Sequence, residues 1–529
     1  MQVSRRQYPM QRTPGDHRMR TMQSALMATA LLFCGTANSE TTITIDDQGT
    51  IGTIAPEIYG QFLEHVGTQV YDGIWVGEHS EIQNTDGIRD DVLDALTKLD
   101  IPVIRWPGGC YADLYHWRDG VGPQSDRTAR VNMAWGGTPE PNSFGTHEFF
   151  ELAERLGAKT YLNVNLASGT VQEASDWLEY ITFDGDSALA NERRANGRDA
   201  AWRLDYLSIG NETWGCGGHM RPSHYADLYA QWATILKTGG EPPKKIISGS
   251  HEGNLDYSDQ VLDHPDISNL SDGISLHYYT LPTGDWAKKG SALEFPKLEW
   301  ASTLENTLKM ETAITEFLDI IDARDLDPEF GLYVDEWGMW VDGEVGAPAL
   351  YQQNTIRDAI VASWNLNIFH AHADRIAMTN IAQMVNVLQA MILTDGPDMV
   401  LTPTYHVYEM YRPFQGAQAL AVSFTGPTFN VGDLTLPALS ASAARNEIDE
   451  IIIALTNADP GKSHKVEIPA LGYSKSEVRV LAGDKLDSHN SFSAPDVVHP
   501  TTIDSEISSG QLKLELPPRS ISVIILSDK

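Results

Sequence analysis

The sequence predicts an α/β protein, a closed (β/α)8 barrel followed by a C-terminal antiparallel β-sandwich. Eight short apolar or β-branched runs alternate with helical patterns between residues 58 and 381, a count that implies a closed parallel barrel more than an open sheet, with a doubly wound sheet still open because strand order cannot be read from a pattern. Two of these runs stop on carboxylates, in Gly-Asn-Glu (210–212) and Asp-Glu-Trp (335–337), as strands do at the C-terminal mouth of such a barrel. Beyond Tyr411 the helical patterns cease, and short β patterns separated by turn clusters take over.

Residues 1–40 read as a leader. Arg5, Arg6, Arg12, Arg18 and Arg20 precede the apolar run 25–33, and Ala37-Asn38-Ser39 suits cleavage. This predicts an exported product, periplasmic or secreted. The run is too short for a membrane span. A twin-arginine signal at Arg5-Arg6 and a lipid anchor at Cys34 are the lesser alternatives, the first because the apolar run lies far downstream, the second because bulky Phe33 stands where a small residue is expected.

Residues 41–55 carry an edge-strand pattern assigned to the C-terminal sandwich, and 56–412 the barrel. Its strands are placed at 58–65, 103–107, 160–166, 205–211, 245–250, 273–279, 331–336 and 375–381. Helices are placed at 88–99, 146–156, 171–181, near 223–237, briefly after 250, between 298 and 323, and at 349–365. The insertions 111–145 and 182–203 are rich in Gly, Asn and Pro, as loops that shape a substrate site are. Residues 413–529 complete the sandwich, with strands near 451–455, 465–468, 477–481, 512–516 and 520–526.

The charge of -34, from 38 basic and 72 acidic residues, repels polyanions and argues against a nucleic-acid partner. An uncharged polymer is the better substrate. Three cysteines exclude a disulfide scaffold; Cys110 and Cys216 each follow a strand end, and two thiols or one bridge are both open. No Gly-x-Gly-x-x-Gly after a strand, Walker loop or Gly-x-Ser-x-Gly elbow is present, so phosphate-cofactor and serine-hydrolase chemistry have no support.

Glu212 and Glu336 end strands 4 and 7, and two carboxylates facing one sugar bond are what retaining glycoside hydrolysis requires, about 5 to 5.5 Å apart. His277 and Tyr279 share a strand face and can both point into the pocket or form a structural pair beneath it. Glu64 positions substrate or pairs with Arg105. Alternation turns Asp335 away from the pocket, as support. His370 and His372 lie two apart on a helix, where side chains do not share a face, so a metal reading gives way to a structural one. No metal and no cofactor are expected.

Gly-Gln-Phe-Leu-Glu-His (60–65), Arg-Trp-Pro-Gly-Gly-Cys-Tyr-Ala-Asp (105–113), Tyr-His-Trp-Arg-Asp-Gly-Val-Gly-Pro (115–123), Gly-Asn-Glu, Asp-Glu-Trp, Asn-Ile-Ala-Gln (380–383) and Thr-Pro-Thr-Tyr-His-Val (402–407) together resemble α-L-arabinofuranosidases of glycoside hydrolase family 51. The resemblance runs from about Ile54 to the C-terminus. It implies a jelly-roll sandwich behind the barrel, a retaining mechanism without cofactor, Glu212 as acid/base and Glu336 as nucleophile. It also implies that Glu64, Arg105, Cys110, Asn211, Tyr279, Trp340 and Gln383 build or support the arabinose pocket, which makes Cys110 a free thiol and disfavours a bridge to Cys216. The implied partner is an arabinose-containing oligo- or polysaccharide, and members are commonly homo-oligomers. One departure stands out: many members carry Asn where this chain has Gly338, so a contact near the nucleophile is expected to be missing. The rival readings are a β-xylosidase or endo-glucanase on the same barrel, or a non-catalytic carbohydrate-binding protein.

Overall fold

The computed structural model describes residues 40–324 and 326–528. Eight parallel strands close a barrel whose order around the ring is their order in the chain: β1 (Gly60–Phe62), β2 (Val103–Trp106), β3 (Lys159–Val164), β4 (Tyr206–Ile209), β5 (Lys244–Ile247), β6 (Gly273–Thr280), β7 (Gly331–Met339) and β8 (Ile376–Ile381). Each is followed by a helix: α1 (Asp90–Thr97), α2 (Thr146–Leu156), α3 (Val171–Thr182), α4 (Pro222–Ile235), α5 (Leu255–Leu262), α6 (Lys297–Asp322), α7 (Ile356–Ala371) and α8 (Pro403–Tyr411). The helices lay apolar stripes on the sheet; α2 buries Phe149, Phe150, Leu152, Ala153 and Leu156, and Gly157 ends it at φ +69. Inside the barrel, Val103, Tyr161, Tyr206, Ile246, Tyr333 and Met378 pack into one layer. That layer is the floor beneath the mouth.

The pairing of β6 with β7 carries an irregularity that matters for the site. Ser275 faces Tyr333 but His277 faces Glu336, so β7 holds one more residue than β6 over this stretch. The extra residue breaks strict alternation, and Asp335, expected to turn away, points into the barrel, where its carboxylate accepts Tyr161 Oη at 2.6 Å and Asn380 Nδ2 at 3.3 Å. Its supporting role stands; its direction does not.

The sequence patterns miss some elements and misplace the start of another. Ala188–Ala195 is a helix inside the supposed loop 182–203, started by Ser187, whose hydroxyl accepts the Ala190 N–H. Helix α7 begins at Ile356, well after 349, because Thr355 and Asp358 form its capping box. Helix α8 opens with Thr402 as cap and Pro403 in the first turn, a start signal legible in Thr-Pro-Thr.

Outside the barrel, among the described residues, eleven strands form two sheets and the others pair in four two-stranded ones. The seven-stranded one runs Thr44–Asp46, Gln418–Ser423, Leu439–Arg445, Ile451–Asn457, Ser520–Ser527, Lys475–Ala482, Thr501–Ile503; the four-stranded one runs Thr41–Thr42, His464–Pro469, Gln511–Leu516, Ile507–Ser508. The N-terminal segment therefore enters both: Thr41 pairs with Val466 and Ile45 with Val422. Helix α7 joins the larger sheet to the barrel through Ser363 to Thr456 at 2.9 Å, Asn367 to Ser440 at 3.0 Å and His370 to Ser442 at 3.0 Å. His370 is thus buried between Ser442 and Tyr59, and His372 pairs with Glu311. Neither histidine faces the barrel mouth. Among the described residues no helix is long and apolar enough to cross a membrane.

Candidate active site

The chain reverses sharply after β4. Gly210 takes φ +83 and Glu212 φ +42, a left-handed turn that lifts the Glu212 side chain into the mouth. Asp113 holds this turn from the neighbouring loop: one oxygen accepts the Asn211 N–H at 3.0 Å, the other the N–H groups of Leu166 and Ala167 at 2.8 and 3.0 Å. Burial pushes Asp113 up to about 7, against the pull of those three bonds.

Glu336, on β7, is nearly enclosed. Arg105 Nη1 donates to it at 2.9 Å, Tyr279 Oη at 2.8 Å, and His277 Nδ1 stands at 3.5 Å. Burial alone pushes this carboxyl up, but the His277 and Arg105 charges and the bonds from Tyr279 and Arg105 outweigh it and hold the group below its ordinary value. Glu212 lies on the more open side, its side chain 18% exposed against 7% for Glu336. The same His277 Nδ1 sits 3.0 Å from Glu212 Oε1. Burial lowers the imidazole pKa, yet Glu336 and the hydrogen bond and charge of Glu212 raise it above the ordinary value. Oxygens of Glu212 and Glu336 and this ring nitrogen all lie within 4.8 Å of one another.

The mouth encloses a cavity of about 250 Å³ lined by Glu64, Cys110, Glu212, His277, Tyr279, Glu336, Trp340 and Gln383 among the residues expected there. The other two expected residues, Arg105 and Asn211, lie just behind: Arg105 stacks on Phe62 at 4.5 Å and its Nη2 donates to Asn211 Oδ1. Glu64 does not pair with Arg105. Its carboxylate accepts Tyr111 N at 3.0 Å, Trp135 Nε1 at 2.9 Å and Gln383 Nε2 at 3.1 Å. Burial, then the Glu336 charge, push Glu64 up to about 7. Asn211 Nδ2 and Gln383 Oε1 are buried and have no hydrogen-bond partner among the described residues. Such groups cost free energy unless a ligand satisfies them.

The free-thiol expectation for Cys110 is overturned. Cys110 and Cys216 are bridged, with Cα atoms 5.6 Å apart, because the loops after β2 and β4 converge at the mouth within bridging range. Gly338 sits at φ +146, and a Cβ there would come within 3.2 Å of Ala382 O and 3.3 Å of Gln389 Cβ. The space an Asn side chain would need is taken by Gln389, whose Oε1 accepts the Met339 N–H at 2.8 Å.

The sequence patterns missed Trp135, Trp214, His251, Trp286, Leu350 and Leu388, which also line the cavity. Trp135 lies in a hairpin (Arg130–Asn132, Thr138–Glu140) within the long insertion after β2, and Trp286 in the loop after β6. The Trp-Gly-Gly turn at 135–137, in an insertion already expected to shape the site, was the one signal available. Trp286, Trp340 and Tyr279 meet edge to face, with centroids 5.0 to 6.4 Å apart, forming an aromatic wall suited to sugar faces.

Comparison with known proteins points one way. Family models described as "Alpha-L-arabinofuranosidase 1 domain" and "Alpha-L-arabinofuranosidase C-terminal domain" match residues 95–291 and 335–520. A Bacteroides ovatus protein named "Intracellular exo-alpha-L-arabinofuranosidase" is 46% identical over 513 residues, 95% of this chain and 99% of its own. A probable α-L-arabinofuranosidase C of Aspergillus flavus is 32% identical over 85% of this chain and 90% of its own. Among solved structures, the GH51 arabinofuranosidase of Xanthomonas axonopodis pv. citri superposes with a TM-score of 0.90 at 42% identity, covering 92% of this chain and all of that one. An arabinose complex of the Thermotoga maritima enzyme superposes at 0.79 with 28% identity, again covering 92% of this chain and all of that one. The name of the Bacteroides relative contradicts the exported location read from residues 24–39, which lie outside the described residues. The export and lipid-anchor readings, which rested on composition alone, are therefore not carried further.

Proposed function

The chain belongs to the α-L-arabinofuranosidases of glycoside hydrolase family 51, and from that premise we propose that Glu336 is its nucleophile and Glu212 its acid/base. The enzyme is a retaining, exo-acting glycoside hydrolase that releases terminal α-L-arabinofuranosyl groups. One observation carries the assignment of roles: two carboxylates within 4.8 Å share His277, and the buried one is locked as an anion by Arg105 and Tyr279. That short separation suits a displacement with retained configuration.

Glu336 attacks the anomeric carbon while Glu212, protonated and on the open side, donates to the leaving oxygen. Glu212 then takes a proton from water as the water attacks the glycosyl-enzyme, and arabinose leaves with its configuration retained. Asn211 Nδ2 and Gln383 Oε1 supply unsatisfied groups for the sugar hydroxyls, with Glu64 beside them. The aromatic wall of Tyr279, Trp286 and Trp340 faces the sugar that carries the arabinose. Arabinoxylan, arabinan and their oligosaccharides are the natural sources, and the active form is a homo-oligomer. Residues 56–412 form the catalytic barrel, with 413–529 and the strand-bearing 41–55 as the sandwich behind it.

The test is direct. Glu336→Gln should abolish turnover of nitrophenyl α-L-arabinofuranoside, and Glu212→Ala should keep activity on good leaving groups and gain rate with azide. Full activity of Glu336→Gln sinks the assignment.

A further inference from the structure

Nothing in the hydrolysis uses the bridge between Cys110 and Cys216, yet both sulfurs face the acid/base. Cys216 Sγ lies 3.4 Å and Cys110 Sγ 4.0 Å from Glu212 Oε2, while Oε1 is held by His277. Cys216 is exposed and Cys110 lines the cavity, so the bond is open to attack from solvent. The two sulfurs and a Glu212 oxygen lie within 4.8 Å of one another. Two thiolates and a carboxylate are donors suited to Zn²⁺, with a fourth position left for water.

We propose that reduction of the bridge turns Cys110, Cys216 and Glu212 into a binding site for Zn²⁺ or a like thiophilic divalent cation, and that the bound cation silences hydrolysis. An external dithiol passes two electrons and two protons to the disulfide, giving two thiols and its own disulfide. The cation then binds both sulfurs as thiolates, releasing two protons, and takes Glu212 Oε2 as third ligand. His277, on the other oxygen, fixes the carboxylate as an outer partner does in metal sites. A Glu212 oxygen committed to metal cannot hand its proton to the leaving group. The oxidised protein lacks the site, because sulfurs bonded to each other offer no thiolate. Glu212, His277 and Glu336 form a second cluster of ligand types, but Arg105 at 2.9 Å from Glu336 opposes a cation there.

The silencing rests on Glu212 being the acid/base; the binding does not. The experiment compares wild-type enzyme as isolated with the same enzyme reduced by a dithiol and desalted without oxygen, each titrated with Co²⁺ and then Zn²⁺. The reduced enzyme should bind one Co²⁺ per chain with a thiolate charge-transfer band, and Zn²⁺ should displace it and protect both cysteines from alkylation. Zn²⁺ should also lower arabinofuranoside hydrolysis about 100-fold or more, the size of a lost proton donor, reversibly with chelator. The oxidised enzyme should show none of this, and reduced Cys216→Ser should lose the band and the response to Zn²⁺ relative to its own metal-free rate. Absence of the band in enzyme shown by mass to be reduced, or its persistence in Cys216→Ser, overturns the site. A cation bound with the band while hydrolysis continues overturns the silencing, and the azide test on Glu212→Ala then tells whether the role of Glu212 fails with it.

Discussion

Asp113 accepts the main-chain N–H of Asn211 at 3.0 Å, and through that bond the loop after β2 holds the strand end that presents Glu212. An Asn at 113 would turn its NH₂ either toward Asn211, whose N–H would lose its acceptor, or toward Leu166 and Ala167, whose two N–H groups would lose theirs. Asp113→Asn should lower kcat/KM about tenfold, equivalent to about 1.4 kcal/mol. Because the folded carboxyl titrates near 7, above its ordinary value, the folded state keeps a proton that the unfolded chain has released from about pH 4 upward. The wild type therefore loses stability as pH rises through that window, and the variant should lose less. Denaturant unfolding across it measures the difference; identical slopes would refute the assignment.

Tyr279→Phe removes one donor from Glu336. A hydrogen bond to a charged group contributes about 1.5 to 3 kcal/mol, so kcat should fall about 10- to 100-fold. The lost bond is one of those that keep Glu336 ionised, so the acid limb of the kcat/KM profile should move to higher pH. An unmoved limb would show that Arg105 and His277 suffice.

Trp135→Phe keeps an aromatic side chain but removes the indole, and with it the Nε1–H that Glu64 accepts. With Glu64 proposed to hold substrate, KM should rise about threefold to tenfold with kcat less affected, from the loss of one hydrogen bond. A fall in kcat alone would place Trp135 in the chemical step.

Gly338→Asn introduces the residue that the family resemblance leads one to expect there and should still harm this chain. At φ +146, with Gln389 and the Ala382 carbonyl beside it, a side chain costs about 1 to 3 kcal/mol. Thermal unfolding should show a lowered Tm, and an unchanged Tm would mean that the backbone relaxes there.

Much of this architecture is legible in the residues. Apolar runs such as 206–209 and 331–334 must be buried strands, and their carboxylate endings mark the mouth. What stayed hidden depends on contacts distant in sequence. Periodicity shows Asp335 and Glu336 on opposite faces, and only the register of β7 against β6 brings both inside. The Cys110–Cys216 bridge could not be read because a pairing depends on where two loops meet. Trp135 and Trp286 lie on irregular segments, where no periodic pattern reports which way a ring points.

The short strands at Thr41–Thr42 and Thr44–Asp46 pair with Val466 and Val422, and this has a consequence for synthesis. Made early, these two strands must wait, unpaired, until their partners near Val422 and Val466 have followed them. An interrupted translation product that stops short of those partners leaves these strands unpaired, a β edge open to other chains.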